Sequence, residues 1–252
     1  MWSNSKCLIA GGAGFIGSHL AKRLIELGGK VTIADNLSTG RKERIPSEAD
    51  FYEVDLRGPD ACRVLCQNQD YVFHLAANMG GIGYITRVEA DVMSDNLRMN
   101  VNMLEASVKA GVKRFFYSSS ACVYPVELQT EADVAPLREE DAVMGHPNEA
   151  YGWEKLVSEE LCRAFQNDFG IETRVSRYHN VYGLGADYGP ERGKVVSSLC
   201  RKAIRYPDEP FVVWGDGKQT RSFLYVDDCI DGTLKLMESD YSKPLNIGSD
   251  RL

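Results

Sequence analysis

The stretch Lys6-Cys7-Leu8-Ile9-Ala10-Gly11-Gly12-Ala13-Gly14-Phe15-Ile16-Gly17 reads as a short apolar strand running into a glycine turn, and an amphipathic pattern continues from it to about Leu27. Glycines at 11, 14 and 17 give the spacing GxxGxxG. The first allows a tight turn, the middle one lets a pyrophosphate approach the backbone, and the last lets helix and strand pack closely. The helix start offers free N–H groups to an anion. A glycine triplet alone says little. Between a strand and a helix it predicts a dinucleotide-binding fold, with Phe15 and Ile16 among the cofactor contacts.

A second strand, Lys30 to Ala34, ends at Asp35, 18 residues after Gly17. A carboxylate there accepts hydrogen bonds from an adenosine ribose and repels a 2′-phosphate, which favours NAD over NADP. Arg41 and Lys42 follow closely and act against that preference; the plainer reading of Asp35 is a turn residue in Asp35-Asn36-Leu37-Ser38-Thr39-Gly40. A third strand, Phe51 to Val54, ends in Asp55-Leu56-Arg57, with Asp55 placed to approach the adenine. A fourth, Asp70 to Leu75, leads into Leu75-Ala76-Ala77 and then Gly80, where small residues let the cofactor's centre pass over the sheet. His74 reads as a strand-end hydrogen-bonding residue rather than a base. A long helix is predicted over about Ala90–Ala110, then a strand over Lys113–Tyr117, after which the hydroxyl run Ser118-Ser119-Ser120 breaks the strand pattern and opens a loop. Ligands of open α/β sheets sit at such carboxyl ends. Strands alternating with helices predict an α/β fold, a Rossmann-type doubly wound parallel sheet with right-handed crossovers. The expected division is a cofactor-binding domain over 1–178 and a small, incomplete substrate-binding region over 179–252.

The 252 residues are 44% hydrophobic and 26% charged, as in ordinary water-soluble domains. A net charge of -7 gives no global pull towards nucleic acid or anionic lipid. An anionic substrate would need a local basic patch, such as Arg201, Lys202 and Arg205, which taken alone also reads as a solvated helix face. Seven irregularly spaced cysteines with no CxxC pair suggest neither a disulfide framework nor a zinc site, and point to reduced thiols in the cytoplasm. Cys62 and Cys66 read as packing. No metal is expected. No apolar run reaches membrane-spanning length, and the N-terminus enters a strand directly, so neither a membrane span nor a signal peptide is expected.

A helical period over Asn148–Phe169 carries Tyr151 and Lys155, spaced i, i+4 on one face. A neighbouring ammonium lowers a phenol's pKa, and a tyrosinate can take a proton from a sugar hydroxyl as a hydride leaves for NAD. Ser120 could hold the same hydroxyl. Cys122, two residues on, reads most plainly as a small buried hydrophobe, but in this loop its thiol would face a ligand.

Taken together, GGAGFIG, Asp35, Asp55, HLAA, SSS and YGWEK resemble the extended short-chain dehydrogenase/reductase family of nucleotide-sugar enzymes. The likeness continues through NVYG at 180–183, RSFLYVDD at 221–228 and NIGSD at 246–250. It implies NAD as cofactor, a nucleotide-diphosphate sugar as substrate and a homodimer through paired helices. The segments HLAANMGGIGYI, RFFYSSSACVYP, EAYGWEKL, RYHNVYG, CRKA and WGDGKQTRSF are most similar to the GDP-mannose 3,5-epimerase branch, which favours a GDP-hexose. In that branch a cysteine and a downstream lysine form an acid/base pair, and they match Cys122 and Lys194. On its own residues Lys194 would read as a solvated loop residue. By the same resemblance Gly80, Ser120, Ala121 and Asn180 contact the sugar, and Lys202, Gln219 and Arg221 lie near the diphosphate. His179 is expected to orient rather than react.

The implied chemistry oxidises C4 to a ketone with Tyr151 as base and Lys155 in support. C–H bonds at C3 and C5 then become acidic, and inversion needs a base on one face and an acid on the other. A thiol and an amine have reference pKa values of about 8.5 and 10.4, so each must be tuned. The Asp-Glu pair of sugar 4,6-dehydratases is replaced by Ala121 and Cys122, so the acid and base for water elimination are absent. Departures keep other readings open. Gly193 stands where an acid usually precedes the lysine, Asp35-Asn36-Leu37-Ser38-Thr39-Gly40 is more like UDP-sugar 4-epimerases, and the chain stops at Leu252 where relatives continue. The competing functions are a GDP-fucose synthase-like 3,5-epimerase/4-reductase, a UDP-sugar 4-epimerase and a non-catalytic NAD-sensing scaffold.

Overall fold

Strand β1 (Lys6–Ala10) is buried on both faces because its side chains alternate between two helical layers. Cys7 and Ile9 join one core with Leu20, Leu24, Phe73 and Phe116, while Leu8 and Ala10 join another with Val72, Phe115 and Met103. A strand covered on both sides loses the polar alternation of a half-solvated one, as parallel sheets require. The computed structural model describes residues 1–129, 136–143, 145–147, 149–213, 215, 217–218 and 220–251.

In chain order, β1 is followed by α1 (Phe15–Glu26), β2 (Lys30–Asp35), β3 (Asp50–Glu53), α2 (Pro59–Cys66), β4 (Tyr71–His74), α3 (Ile82–Ile85), α4 (Glu89–Ala110) and β5 (Arg114–Ser120). Then come α5 (Glu149–Phe169), β6 (Glu172–Tyr178), β7 (Val181–Tyr182), α6 (Val195–Arg205), β8 (Leu224–Tyr225), α7 (Val226–Glu238) and β9 (Leu245–Ile247). The main sheet has the order β3-β2-β1-β4-β5-β6-β9, and every pairing in it is parallel. The order reverses between β1 and β4, so their carboxyl ends part and leave the crevice in which such folds hold ligands. Cys62 and Cys66 are both fully buried in the core between α2 and α4.

Two sequence expectations shift. The hydroxyl run does not open a loop. Ser118, Ser119 and Ser120 continue β5 and pair with Ser176, Arg177 and Tyr178, because their small side chains fit a sheet whose next strand continues alongside. The chain leaves the strand one residue later, in a 3₁₀ turn over Ala121–Val123. The C-terminal stretch also contributes to the main sheet: β9 pairs with β6, and α7 packs on α1. β7 and β8 form a separate pair outside it.

The glycine loop depends on contact distances that only a missing Cβ allows. A Cβ on Gly17 would lie 2.2 Å from the Gly11 carbonyl oxygen and 2.8 Å from the Gly12 Cα, both backbone atoms that cannot swing aside. Gly17→Ala is expected to cost about 1–3 kcal/mol as overpacking, which for a chain of this size lowers the thermal midpoint by roughly 2–4 °C per kcal/mol. A melting curve matching the wild type would remove the close-packing argument.

Candidate active site

At the carboxyl ends of the strands lies one continuous cleft of about 2690 Å³. Ordinary small-molecule sites run to about 1,000 Å³, so this one has room for two extended ligands. One end is walled by the glycine loop, Asp35 and Asn36, and the other by the segments around Cys122 and Lys194.

The glycine-loop end has the features of a dinucleotide cradle. Helix α1 begins at Gly14 with no side-chain cap, leaving its first N–H groups free for an anion. A Cβ on Gly11 would lie 2.7 Å from the Ala76 backbone nitrogen, so the loops after β1 and β4 touch through bare backbone. Leu75, Ala76 and Ala77 form the floor beyond. Asp35 is 8% exposed and accepts hydrogen bonds from the Ala13 N–H (3.0 Å) and the Leu37 N–H (2.8 Å). The carboxylate shapes the turn, and Asp35 also lines the cleft. Burial pushes this carboxyl up, against those two N–H groups. Asp55 does not line the cleft. Its carboxylate accepts from the Arg57 N–H and guanidinium, while Val54, Leu56 and Arg57 form the wall there.

In the middle, α5 turns Tyr151 and Lys155 inward; they are 6% and 2% exposed. The Lys155 ammonium donates to the Ser118 carbonyl (3.1 Å) and lies 5.5 Å from the centre of the Tyr151 ring. The Ser120 side chain lies beside the Tyr151 phenol, and its hydroxyl accepts from the Cys122 N–H at 3.2 Å. Burial first, and then Cys122 and Glu154, push the phenol well above its ordinary value, with Ser120 opposing. The expected lowering by the ammonium does not show: the one opposing influence is Ser120, and desolvation dominates.

Sequence reasoning missed Glu154. It is fully buried and accepts from Asn100 (2.6 Å), Tyr117 (3.0 Å) and Asn96 (3.1 Å), with one oxygen 3.9 Å from the Lys155 ammonium. The signal available was periodicity: Tyr151, Glu154, Lys155, Ser158 and Cys162 share a helical face. His74 is buried, its Nε2 bonded to the Asn100 side chain at 2.7 Å, and burial holds its pKa down at about 4. It is a neutral strand-end residue, as expected.

Cys122 sits on the 3₁₀ turn, half-buried against the cluster of Ile85, Val92 and Tyr151. The turn presses onto α5 at Gly152, where a Cβ would lie 2.2 Å from the Cys122 carbonyl oxygen. Lys194 comes from a separate segment, at the residue that precedes α6. The cleft walls crowd its ammonium and push its pKa down by desolvation, while Cys122 and Cys229 act the other way. Water still enters the wide cleft and reaches the side chain, which counts as exposed by surface area. We take the ammonium as crowded, not dry. Gly193 has a local reason: a Cβ there would lie 2.6 Å from the Gly189 carbonyl oxygen.

Gly80 and Ala121 line the cleft beside this pair, as do Asn180, Lys202 and Arg221 further along. Asn180 donates to the Ser222 carbonyl, and Arg221 to the Thr220 carbonyl. Of the basic face on α6, Arg201 and Arg205 both pair with Glu209, and Lys202 donates to the Val212 carbonyl. Gln219 lies outside the described residues. His179 bonds the Asn246 side chain, a structural contact. Among the described residues no group of three His, Cys, Asp or Glu is placed to hold a metal, and no helix is long and apolar enough to cross a membrane.

GDP-mannose 3,5-epimerase 1 of Oryza sativa subsp. indica is 45% identical over 253 residues, covering 100% of this chain and 66% of that protein. GDP-mannose 3,5-epimerase of Arabidopsis thaliana is 43% identical over 249 residues, covering 99% of this chain and 66% of the relative. Among solved structures, UDP-glucose 4-epimerase of Thermotoga maritima with UDP-glucose superposes with a TM-score of 0.88 at 34% identity, over 98% of this chain and 77% of that one. The NAD dependent epimerase/dehydratase family matches residues 7–248. With that span, and with the glycine cradle and the Ser120–Tyr151–Lys155 cluster in one cleft, the chain belongs to this family.

Proposed function

We propose that the protein is a nucleotide-sugar epimerase that inverts C3, C5 or both in a GDP-mannose-like substrate through a transient 4-keto sugar. The observation that carries this reading is the convergence of Cys122 and Lys194, from separate segments, on the end of the cleft that also holds Ser120 and Tyr151. A plain 4-epimerase has no use for that extra pair. The likeness to the rice and Arabidopsis proteins supports the same substrate class.

The cradle fits NAD: the glycine loop and the uncapped start of α1 would receive the pyrophosphate, and Asp35 the adenosine ribose. Asn36 and Leu56 would flank the adenosine. When bound, NAD takes up the C4 hydride and later returns it. Tyr151, positioned by Ser120, takes the proton of the C4 hydroxyl, and Lys155 lies beside it. With C4 a ketone, one of Cys122 and Lys194 removes the α-proton from one face of the sugar and the other delivers a proton to the opposite face. The downward push on Lys194 suits an amine that must exist partly neutral. Gly80, Ala121 and Asn180 would border the hexose, and Lys202 and Arg221 the diphosphate. Functionally, residues 1–178 would hold the cofactor and the Ser/Tyr/Lys group, and 179–252 would supply most of the sugar-nucleotide wall. The seven free thiols are consistent with a reducing, cytoplasmic setting. Trp153 and Val157, exposed on α5, are residues that a helix-paired homodimer would cover.

The test is incubation with GDP-mannose in D2O, read by NMR. Deuterium at C3 or C5 without net NADH formation supports the reading. Inversion at C4 alone would favour a 4-epimerase acting on a UDP-sugar. Steady consumption of NADPH with a 4-keto substrate would favour the epimerase-reductase.

A further inference from the structure

One guanidinium ties the two walls beside the proposed proton-transfer pair. Arg192, two residues before Lys194, lies flat over Tyr84, with its Cζ 3.8 Å from the ring centre. Its Nη1 donates to the Met79 carbonyl at 3.0 Å, and its own carbonyl accepts from the Gly81 N–H at 3.1 Å. The segment carrying Lys194 is therefore held to the loop after β4 by a stacked ring and by hydrogen bonds in both directions. The fit is close: a Cβ on Gly81 would lie 2.9 Å from the Gly193 carbonyl oxygen.

The contact continues inward. The Tyr84 hydroxyl donates to the Asn78 side chain at 2.8 Å. Asn96 accepts from the Asn78 N–H at 2.7 Å, donates to the Asn78 carbonyl at 3.2 Å, and donates to Glu154 at 3.1 Å. Glu154 is the buried carboxylate next to Lys155. A connected run of side chains thus joins the Lys194 segment to the helix that carries Tyr151.

We propose that Arg192 and Tyr84 are positioning residues that fix the Lys194 amine across the sugar from Cys122. The proposal rests on the proton-transfer reading above. It needs arginine specifically, because a planar guanidinium can stack on a ring while keeping an N–H on a carbonyl, whereas a lysine ammonium is a point donor. Among the described residues Arg192 forms no ion pair, so its role there is not that of a surface ion pair.

Two variants test it, Arg192→Lys and Tyr84→Leu, each with three readouts: deuterium entry from D2O into the sugar, the transient near-ultraviolet signal of NADH, and native-state amide hydrogen exchange. A misplacement of about 1 Å can cost roughly 100-fold in a step that needs exact geometry. Each variant is expected to slow deuterium entry by about 10–100-fold on that basis, with the NADH transient little changed. The double variant should lose little more than the worse single, since both remove one contact. Amides of 78–85 and of 187–197 should exchange faster together. Unchanged deuterium entry in either single variant overturns the proposal, as does a parallel fall in the NADH signal or fully multiplicative losses in the double. Amide exchange needs no substrate. If wild type forms no ketone and takes up no deuterium, the functional reading fails, while unchanged exchange in the two loops would still reject the clasp by itself.

Discussion

Cys122→Ala is expected to stop deuterium entering C3 and C5 of the hexose while oxidation at C4 continues. General acid–base groups contribute about 10²–10⁴ in rate, so the exchange signal should fall by at least about two orders of magnitude. The separation of the two signals follows from where the thiol sits. Ser120 holds the Cys122 backbone N–H, and Gly152 receives the Cys122 carbonyl. These are main-chain contacts of residue 122, so alanine keeps the turn, the seat of Ser120 and the approach of Tyr151. The half-buried side chain packs at the edge of a small cluster with Ile85, Val92 and Tyr151, so its loss should cost little stability. Cys122→Ser is the sharper form of the experiment. It keeps nearly the same volume, but an alcohol is a far weaker acid than a thiol. Exchange should again be lost while NADH still forms transiently with GDP-mannose. If Cys122→Ala retains wild-type exchange, carbon-acid chemistry at this residue is excluded, and a 4-epimerase becomes the better account. If both signals vanish in alanine and serine variants alike, the thiol holds the substrate rather than moving its protons.

How much of this was legible beforehand differs by element. The sheet and its glycine loop were, because local pattern and global fold agree there: β1 is short and apolar, and Gly11, Gly14 and Gly17 stand where backbone contact requires them. The end of β5 was not. Three serines look like a loop in sequence, but β6 extends alongside and offers them a complete hydrogen-bonding edge. Helix α5 is harder to read. Its buried face carries Glu154, Lys155 and Glu159, while Trp153 and Val157 are exposed. The charges can be buried because each has a partner: Glu154 its asparagines, Glu159 the Arg177 guanidinium at 2.7 Å, and Lys155 the Ser118 carbonyl. Those partners lie on α4, β6 and β5, 18 to 58 residues away. Asp55 shows how a local partner enters. Its position at a strand tip suggested a ligand, but Arg57, two residues on, takes the carboxylate. Lys194 was reached only through resemblance, since nothing local distinguishes it from a loop lysine. Arg192 carried no signal at all, because its partner Tyr84 is more than a hundred residues earlier in the chain.

Tyr151→Phe is expected to silence both signals, deuterium entry and NADH formation, because C4 must become a ketone before any α-proton is acidic. The expected loss is about 10²–10⁴ for removal of a general base. Phenylalanine keeps the ring that packs against Ile85 and Val92, and it removes only the hydroxyl beside Ser120. The folded state should therefore survive, which a near-ultraviolet circular dichroism spectrum would check. The pH dependence carries a second, independent signature. Burial raises the phenol's pKa, so the protonated form prevails at neutral pH and the base form grows as pH rises. C4 oxidation should accordingly rise from neutral into alkaline solution and level off where the phenol has ionised. Lys155 lies 5.5 Å from the ring centre, and opposite charge favours a tyrosinate, so a bound cationic cofactor would draw that limb towards neutrality. Stability moves the other way. A phenol whose folded pKa is raised contributes stability that is complete below the unfolded value of about 10 and is lost as pH climbs through the folded value. Tyr151→Phe should therefore flatten part of the alkaline fall in the thermal midpoint while abolishing the alkaline rise in oxidation rate. Tyr117 and Tyr178, raised by the same desolvation, keep the remainder of that fall. A variant that retains the rising limb would show that another group takes the C4 proton, and the placement of Ser120 and Lys155 around Tyr151 would then need a different purpose.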